Sequence, residues 1–390
     1  MIYGYNDNAG TLALANKKKD FFKAQNRIAY LMFLLLVCEL LASMALMIAE
    51  WRDPLLFENA RLKETANALI YVFYMLTPSL VYLAVRKKDV HAKHEKPKKP
   101  HTFALFLFGL GVVYVGQLAS FLMAVIFADA GIDLYSSLEQ SVSADPVLMI
   151  IEIVEVALLP AVLEELLARH IILTELQKYG RGFAVMVSAL LFSLMHMNPI
   201  QMPFAFIAGL AMAYTTVATG SVIPSFFLHF INNALSVVLT FLPEFTNEKT
   251  AFIADAVITV VILAAGAAAG IYLLKKREKE EETVNETPAA EAIREPAPET
   301  VPTEAITAEP APDETESGGE ENEEAPPESE AADETENRPT AEEKAAAINV
   351  IDGKVTKNLS PTMIAYIIAA LFCTLLTFFI LWGSSVTDLI

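Results

Sequence analysis

Cysteine is nearly absent from this chain. Its 390 residues hold only two, Cys38 and Cys373. Both lie inside apolar runs, so neither a disulfide framework nor a paired-cysteine metal site can be built from them. Internal repeats are missing too, as is a matched pair of helices broken by Gly or Pro, which argues against a carrier built from inverted repeats. The first 26 residues are polar and contain Lys17, Lys18 and Lys19. They offer no apolar stretch and no small-residue cleavage site, so no cleavable signal peptide is expected. Basic residues are scarce, 28 against 47 acidic ones, for a formal net charge of −19. That imbalance is local. Between Glu280 and Glu343, 23 Asp and Glu face only Arg294 and Arg338. The remainder is close to neutral, and no nucleic-acid partner is expected. The acidic tract also lacks aromatic residues. Low hydrophobicity with high like charge cannot offset the entropy of ordering, so the tract is expected to be a disordered cytoplasmic linker. It serves as a tether for the last helix or, in a sharper reading, as a docking segment for a basic partner.

Apolar residues are abundant, at 54% of the chain, where a soluble domain has about 45–50%. Because the acidic tract dilutes the average, the rest must be an integral membrane protein. A spanning helix needs about 20 mostly apolar residues. Spans are expected at 28–49, 66–85, 103–128, 147–173, 183–197, 200–218, 221–242, 251–274 and 362–383. The fifth is short for a full crossing and is separated from the sixth by Asn198-Pro199, a turn signal. The fold class is therefore all-α, a polytopic helical bundle of about eight to nine transmembrane helices. The expected organisation is a cytoplasmic segment at 1–27, a bundle at 28–274, a linker at 275–360 and a C-terminal transmembrane helix at 361–390.

Lysine and arginine orient the bundle. Lys17 to Lys19, Lys23 and Arg27 precede the first span. Arg86, Lys87, Lys88, Lys93, Lys96, Lys98 and Lys99 follow the second, Lys178 and Arg181 the fourth, and Lys275, Lys276, Arg277 and Lys279 the eighth. The opposite loops hold only Arg52, Arg61, Lys63 and Lys249. The N-terminus is expected in the cytoplasm, and with nine spans the C-terminus lies outside.

Three of these spans carry titratable groups, which are costly in lipid and persist where they pair or do chemistry. Glu165 and Arg169 are four residues apart, on one helical face, with the acid N-terminal in the favourable order. Each neutralises the other. Glu164 points elsewhere and has no basic partner on its own helix, which leaves it free to act as a general base. Pro160, four residues earlier, interrupts the backbone ladder. His229 and Asn233, again four apart, present two donors on one face, as an oxyanion would require. His196 stands alone on its helix, and its partner is expected from another span. At about 1.5 Å per residue, Glu164 lies roughly 15 Å, His229 about 12 Å and His196 about 20 Å from the cytoplasmic ends of their helices. These intermediate depths allow the side chains to converge.

Glu164-Glu165-x-x-x-Arg169, Phe192-x-x-x-His196 and His229-x-x-x-Asn233, in this order on membrane helices, resemble the three motifs of the CAAX protease and bacteriocin-processing (Abi) family, which includes the type II CAAX prenyl endopeptidases. The resemblance covers about residues 100–242 and implies an intramembrane endopeptidase. Glu164 would activate a water together with His196, His229 and Asn233 would bind the oxyanion, and Glu165 with Arg169 would hold the helix geometry. No HExxH is present, so a thermolysin-like zinc site is not indicated. The family has been grouped with metalloproteases, and Glu164, His196 and His229 are the candidate ligands for a divalent metal such as zinc. The expected substrate is a membrane-associated peptide or protein, a CAAX tail or a leader or precursor segment, reached from the cytoplasmic side. The expected location is the bacterial plasma membrane. The alternative is a non-enzymatic immunity or scaffold protein whose polar cluster is structural.

Overall fold

The computed structural model describes residues 7–86, 101–129, 145–292 and 359–387. All regular structure among them is helical. The helices are α1 (Asp7–Arg52), the short α2 (Pro54–Phe57), α3 (Ala60–Val85), α4 (Thr102–Asp129), α5 (Pro146–Gln177), α6 (Arg181–Leu194), α7 (Gln201–Thr219), α8 (Ile223–Phe245), α9 (Glu248–Ala292) and α10 (Pro361–Thr387). Seven of them are long and apolar enough to cross a membrane: α1, α3, α4, α5, α7, α8 and α9. α6 and the described part of α10 are shorter apolar helices. Each of the nine expected spans thus corresponds to a helix. The chain is an integral membrane protein.

The linker was expected to begin at 275, yet α9 continues to Ala292. Residues 275–282 are Lys, Arg and Glu throughout, all good helix formers, and they prolong a helix that the preceding span has already nucleated. The remaining linker, 293–358, lies outside the described residues. At the other end, α1 begins at Asp7 rather than near residue 28, so much of the expected polar segment is helical.

The core is built around α5. Leu163, Leu167, Ile171, Ile172 and Leu173 pack with Ile28 and Met32 of α1, Met75 of α3 and Leu191 of α6. Met363, Tyr366 and Ala370 of α10 join the same cluster. α9 sits against α4 at one point of very close approach: a Cβ on Gly111 would lie 2.8 Å from the Gly266 Cα. Only paired glycines let two backbones meet this way, a common device where lipid supplies no hydrophobic drive for helix association.

Three cations close the lysine-rich end. The buried Glu175 carboxylate at the end of α5 accepts hydrogen bonds from Arg27 of α1, from Arg86 following α3 at 3.2 Å, and from Lys178 at 3.2 Å. At the opposite end, Arg61 donates two hydrogen bonds to Asp145, at 2.7 and 2.9 Å. Asp145 also caps α5 by accepting from the Val147 N–H at 3.0 Å.

Candidate active site

α5 is not a uniform α-helix. Ile153–Leu158 and Leu166–Leu173 are π-helical, flanking the α-helical stretch Leu159–Glu165 that carries both glutamates. Pro160 explains part of this, since it has no N–H to return to the Val156 carbonyl four residues back. The Asn233 side chain of α8 donates to that carbonyl at 2.9 Å. The second wide turn is served in the same way. Ser188 of α6 donates to the Ala168 carbonyl at 2.9 Å, and Thr174 to that of Arg169 at 3.1 Å. Side-chain donors therefore stabilise backbone that π-helical geometry leaves open.

α6 has 14 residues, about 21 Å of helix against a hydrocarbon core of about 30 Å. It ends inside the bundle, and Met195, His196 and Met197 turn the chain. Met197, at φ 46°, is the one non-glycine residue with positive φ among the described residues. Asn198 then caps α7, its Oδ1 accepting the Ile200 N–H at 2.9 Å. The short helix places His196 at depth.

Glu165 does more than neutralise Arg169. Its Oε2 lies 3.3 Å from the Arg169 Nε, while its Oε1 is 3.2 Å from the His229 Nδ1. Arg169 is fully buried, and its guanidinium carbon sits 4.4 Å from the centre of the Phe192 ring. The same ring makes edge contacts with His196 at 5.1 Å and His229 at 5.9 Å. Phe192 is thus the apolar hub of the three motifs, supporting a cation on one contact and two imidazoles on others.

Glu164 makes no hydrogen bond to a basic residue of its own helix, though Arg169 is near enough for their charges to interact, and it is not isolated. Its Oε1 accepts a hydrogen bond from the Tyr71 hydroxyl of α3 at 2.8 Å. Its Oε2 is buried without a hydrogen bond and faces the His229 Nε2 at 3.8 Å. His196 does not take its partner from another span: its Nδ1 lies 2.8 Å from the Phe192 carbonyl oxygen of its own helix. A carbonyl only accepts, so Nδ1 carries the hydrogen and the neutral ring keeps its lone pair on Nε2. By the same logic the Glu165 carboxylate fixes hydrogen on the His229 Nδ1, so the His229 Nε2 can donate only from the imidazolium.

Asn233 differs from the expected pure oxyanion donor. One amide hydrogen goes to Val156, and its Oδ1 accepts from Asn232 at 3.0 Å. Asn232 in turn accepts from Gln117 of α4 at 2.9 Å. Tyr71, Gln117 and Asn232 were not anticipated. Their only sequence signal is a polar group inside an apolar run, and spacing alone could not link them to motifs on other helices.

Glu164, His196, His229 and Asn233 all line one cavity of about 1140 Å³. It continues past Ser236 and Thr240 of α8 to Glu248 and Asp255 of α9. The cavity extends from the motif residues toward the α8–α9 turn. As to metal, among the described residues no group of three or more His, Cys, Asp or Glu is arranged to hold an ion. Glu164, His196 and His229 do not make a three-ligand set, and no step below is routed through a metal.

With this geometry in place, comparison with known families is decisive for one segment. Residues 146–235 match the family model described as type II CAAX prenyl endopeptidase Rce1-like. This segment is similar to that family. It runs from the start of α5 through most of α8, so it contains all three motifs. The match bears out the resemblance to the CAAX protease family read from those motifs. No curated protein and no solved structure matches the chain. Tyr71, which bonds Glu164, and Gln117, which bonds Asn232, lie outside the matched segment.

Proposed function

We propose that the chain is an intramembrane endopeptidase that hydrolyses a peptide bond of a membrane-associated peptide or protein at Glu164. The observation that carries this reading is the Glu164 carboxylate, on a residue that lines the cavity: one oxygen is held by Tyr71, and the other is buried without a hydrogen bond. A water between Glu164 and His196 loses its proton to the carboxylate, with the His196 Nε2 lone pair orienting it. The resulting hydroxide adds to the substrate carbonyl carbon, and the carbonyl oxygen becomes an oxyanion. The His229 imidazolium and the second amide hydrogen of Asn233 donate to that oxygen. Collapse expels the amine, which takes the proton held by Glu164. Glu165 and Arg169 are positioning residues, fixing the His229 tautomer and the packing of Phe192.

The lysine-rich ends support an N-terminus in the cytoplasm, and a bacterial plasma membrane is the proposed location. The substrate is proposed to be a leader or membrane-anchored precursor, or a CAAX-type tail. Comparison of protein N-termini in cells carrying the wild-type chain or Glu164→Ala tests the function: a cut site present only with wild type supports it. Under the alternative, an immunity or scaffold role, Glu164→Ala and His196→Ala lower abundance or assembly, and no cut site depends on them. Zinc dependence is tested by activity before and after phenanthroline. The metal-free route predicts no change.

A further inference from the structure

Asp255 is the only charged residue in α9 between Lys249 and Lys275. It lies two turns inside an otherwise apolar span, beyond reach of an N-terminal capping role, and its side chain lines the cavity that begins at Glu164. Some carboxylates elsewhere in the bundle have cations, as Glu165 has Arg169, Glu175 has three, and Asp145 has Arg61, whereas Glu39 and Glu155 pair with no Lys or Arg among the described residues. Asp255 pairs with no Lys or Arg among the described residues. The cavity wall contains none either; its charged side chains besides the histidines are Glu164, Glu248 and Asp255. Residues 130–144, which join α4 to α5 at this end, include no Lys or Arg that could supply a partner. A carboxylate kept in a span and facing a cavity marks a functional position. Tyr114, Gln117 and Thr259 line the same space and offer further polar atoms.

We propose that the Asp255 end of the cavity is a subsite for a lysine or arginine side chain of the substrate. This deepens the protease reading and rests on it for the meaning of the site, though not for its test. Depth along the helices sets the register. α8 and α9 are joined by only Thr246 and Asn247, so Phe245 and Glu248 mark one level. Measured from there, His229 lies about 24 Å deep and Asp255 about 10 Å deep. The difference corresponds to about four residues of extended chain. The cationic residue therefore sits about four positions from the bond cut, on the side that points toward the α8–α9 turn.

The test uses full-length protein in nanodiscs carrying Glu164→Gln, which binds without cutting. The probes are fluorescent apolar peptides with one Lys at successive positions, each with a norleucine counterpart. The Lys peptides should bind about tenfold more tightly, as expected for a charge-assisted hydrogen bond. Asp255→Asn should abolish that preference while leaving norleucine peptides unaffected, and Asp255→Glu should restore it. Equal affinity for the two peptides, or a preference that survives Asp255→Asn, overturns the subsite. Because binding is read without hydrolysis, a wild-type protein that cuts nothing would defeat the protease reading and leave this result standing or falling by itself.

Discussion

Two carboxylates at opposite ends of the bundle face opposite circumstances. Glu175 is buried and takes hydrogen bonds from Arg27, Arg86 and Lys178, which tie α1, α3 and α5 together. Asp255 lines a cavity and has no cation among the described residues. Both sit near the end of a helix about 32 residues long in its spanning part. Composition does not separate them; their surroundings do. The paired acid closes one end of the molecule, and the unpaired one belongs to the space where a ligand would enter. Glu165 and Glu164 repeat the lesson over a single residue: the first is bound by Arg169 and His229, while the second keeps one oxygen without a hydrogen bond.

The largest effects should come from the unpaired end. Glu164→Gln and His196→Ala should each lower hydrolysis by about 10²–10⁴-fold, the usual contribution of general base catalysis, with protein abundance unchanged by immunoblot. Next comes the paired end of the same motif. Arg169→Met leaves Glu165 buried without its cation and should cost about 3–5 kcal/mol. Adding Glu165→Gln to that variant should recover much of the loss in a thermal-shift assay, and failure to recover would mean that Arg169 does more than balance charge. Glu175→Gln removes the negative charge and one of the two acceptor oxygens shared by three charged donors, and about 1.5–3 kcal/mol is expected for the strongest of these bonds. Activity of the surviving protein should change little, since the clamp is remote from the cavity. Asn233→Leu leaves the Val156 carbonyl without its side-chain donor at about 1–3 kcal/mol, and it should also lower kcat through loss of the second amide hydrogen.

The smallest effect belongs to the solvent-exposed Arg61–Asp145 pair. The Arg61 hydrogen bonds hold the Asp145 carboxyl below the usual carboxylate range. A lowered folded-state value means that the pair stabilises above the ordinary aspartate range and that this contribution is lost as pH falls through the lowered value. The melting difference between wild type and Asp145→Asn should therefore be small at neutral pH and vanish in strong acid. A difference that persists there would place the stabilisation in helix capping instead.

Helices were the legible part of this sequence. All nine expected spans correspond to helices, because a run of about 20 apolar residues has few other ways to satisfy its backbone in lipid. The ends were less legible: α9 runs to Ala292, since a Lys- and Glu-rich continuation propagates helix without any apolar signal. Within the site, the Glu165–Arg169 contact was readable because four residues on one helix share a face. The Tyr71–Glu164, Asn233–Val156 and Glu165–His229 contacts were not. Each joins different helices, and their meeting depends on the π-helical turns of α5, which shift side-chain directions in a way that periodicity does not record. Asp255 is a lone charge in an apolar span that the motif reading passed over, and only the cavity drew attention to it.

The most direct measurement is cleavage of a membrane-embedded reporter peptide by purified protein in nanodiscs, wild type beside Glu164→Gln. The account predicts a defined cut by the wild type and none above background by the variant, with both folded to the same melting temperature. Equal cleavage by the two proteins would contradict it.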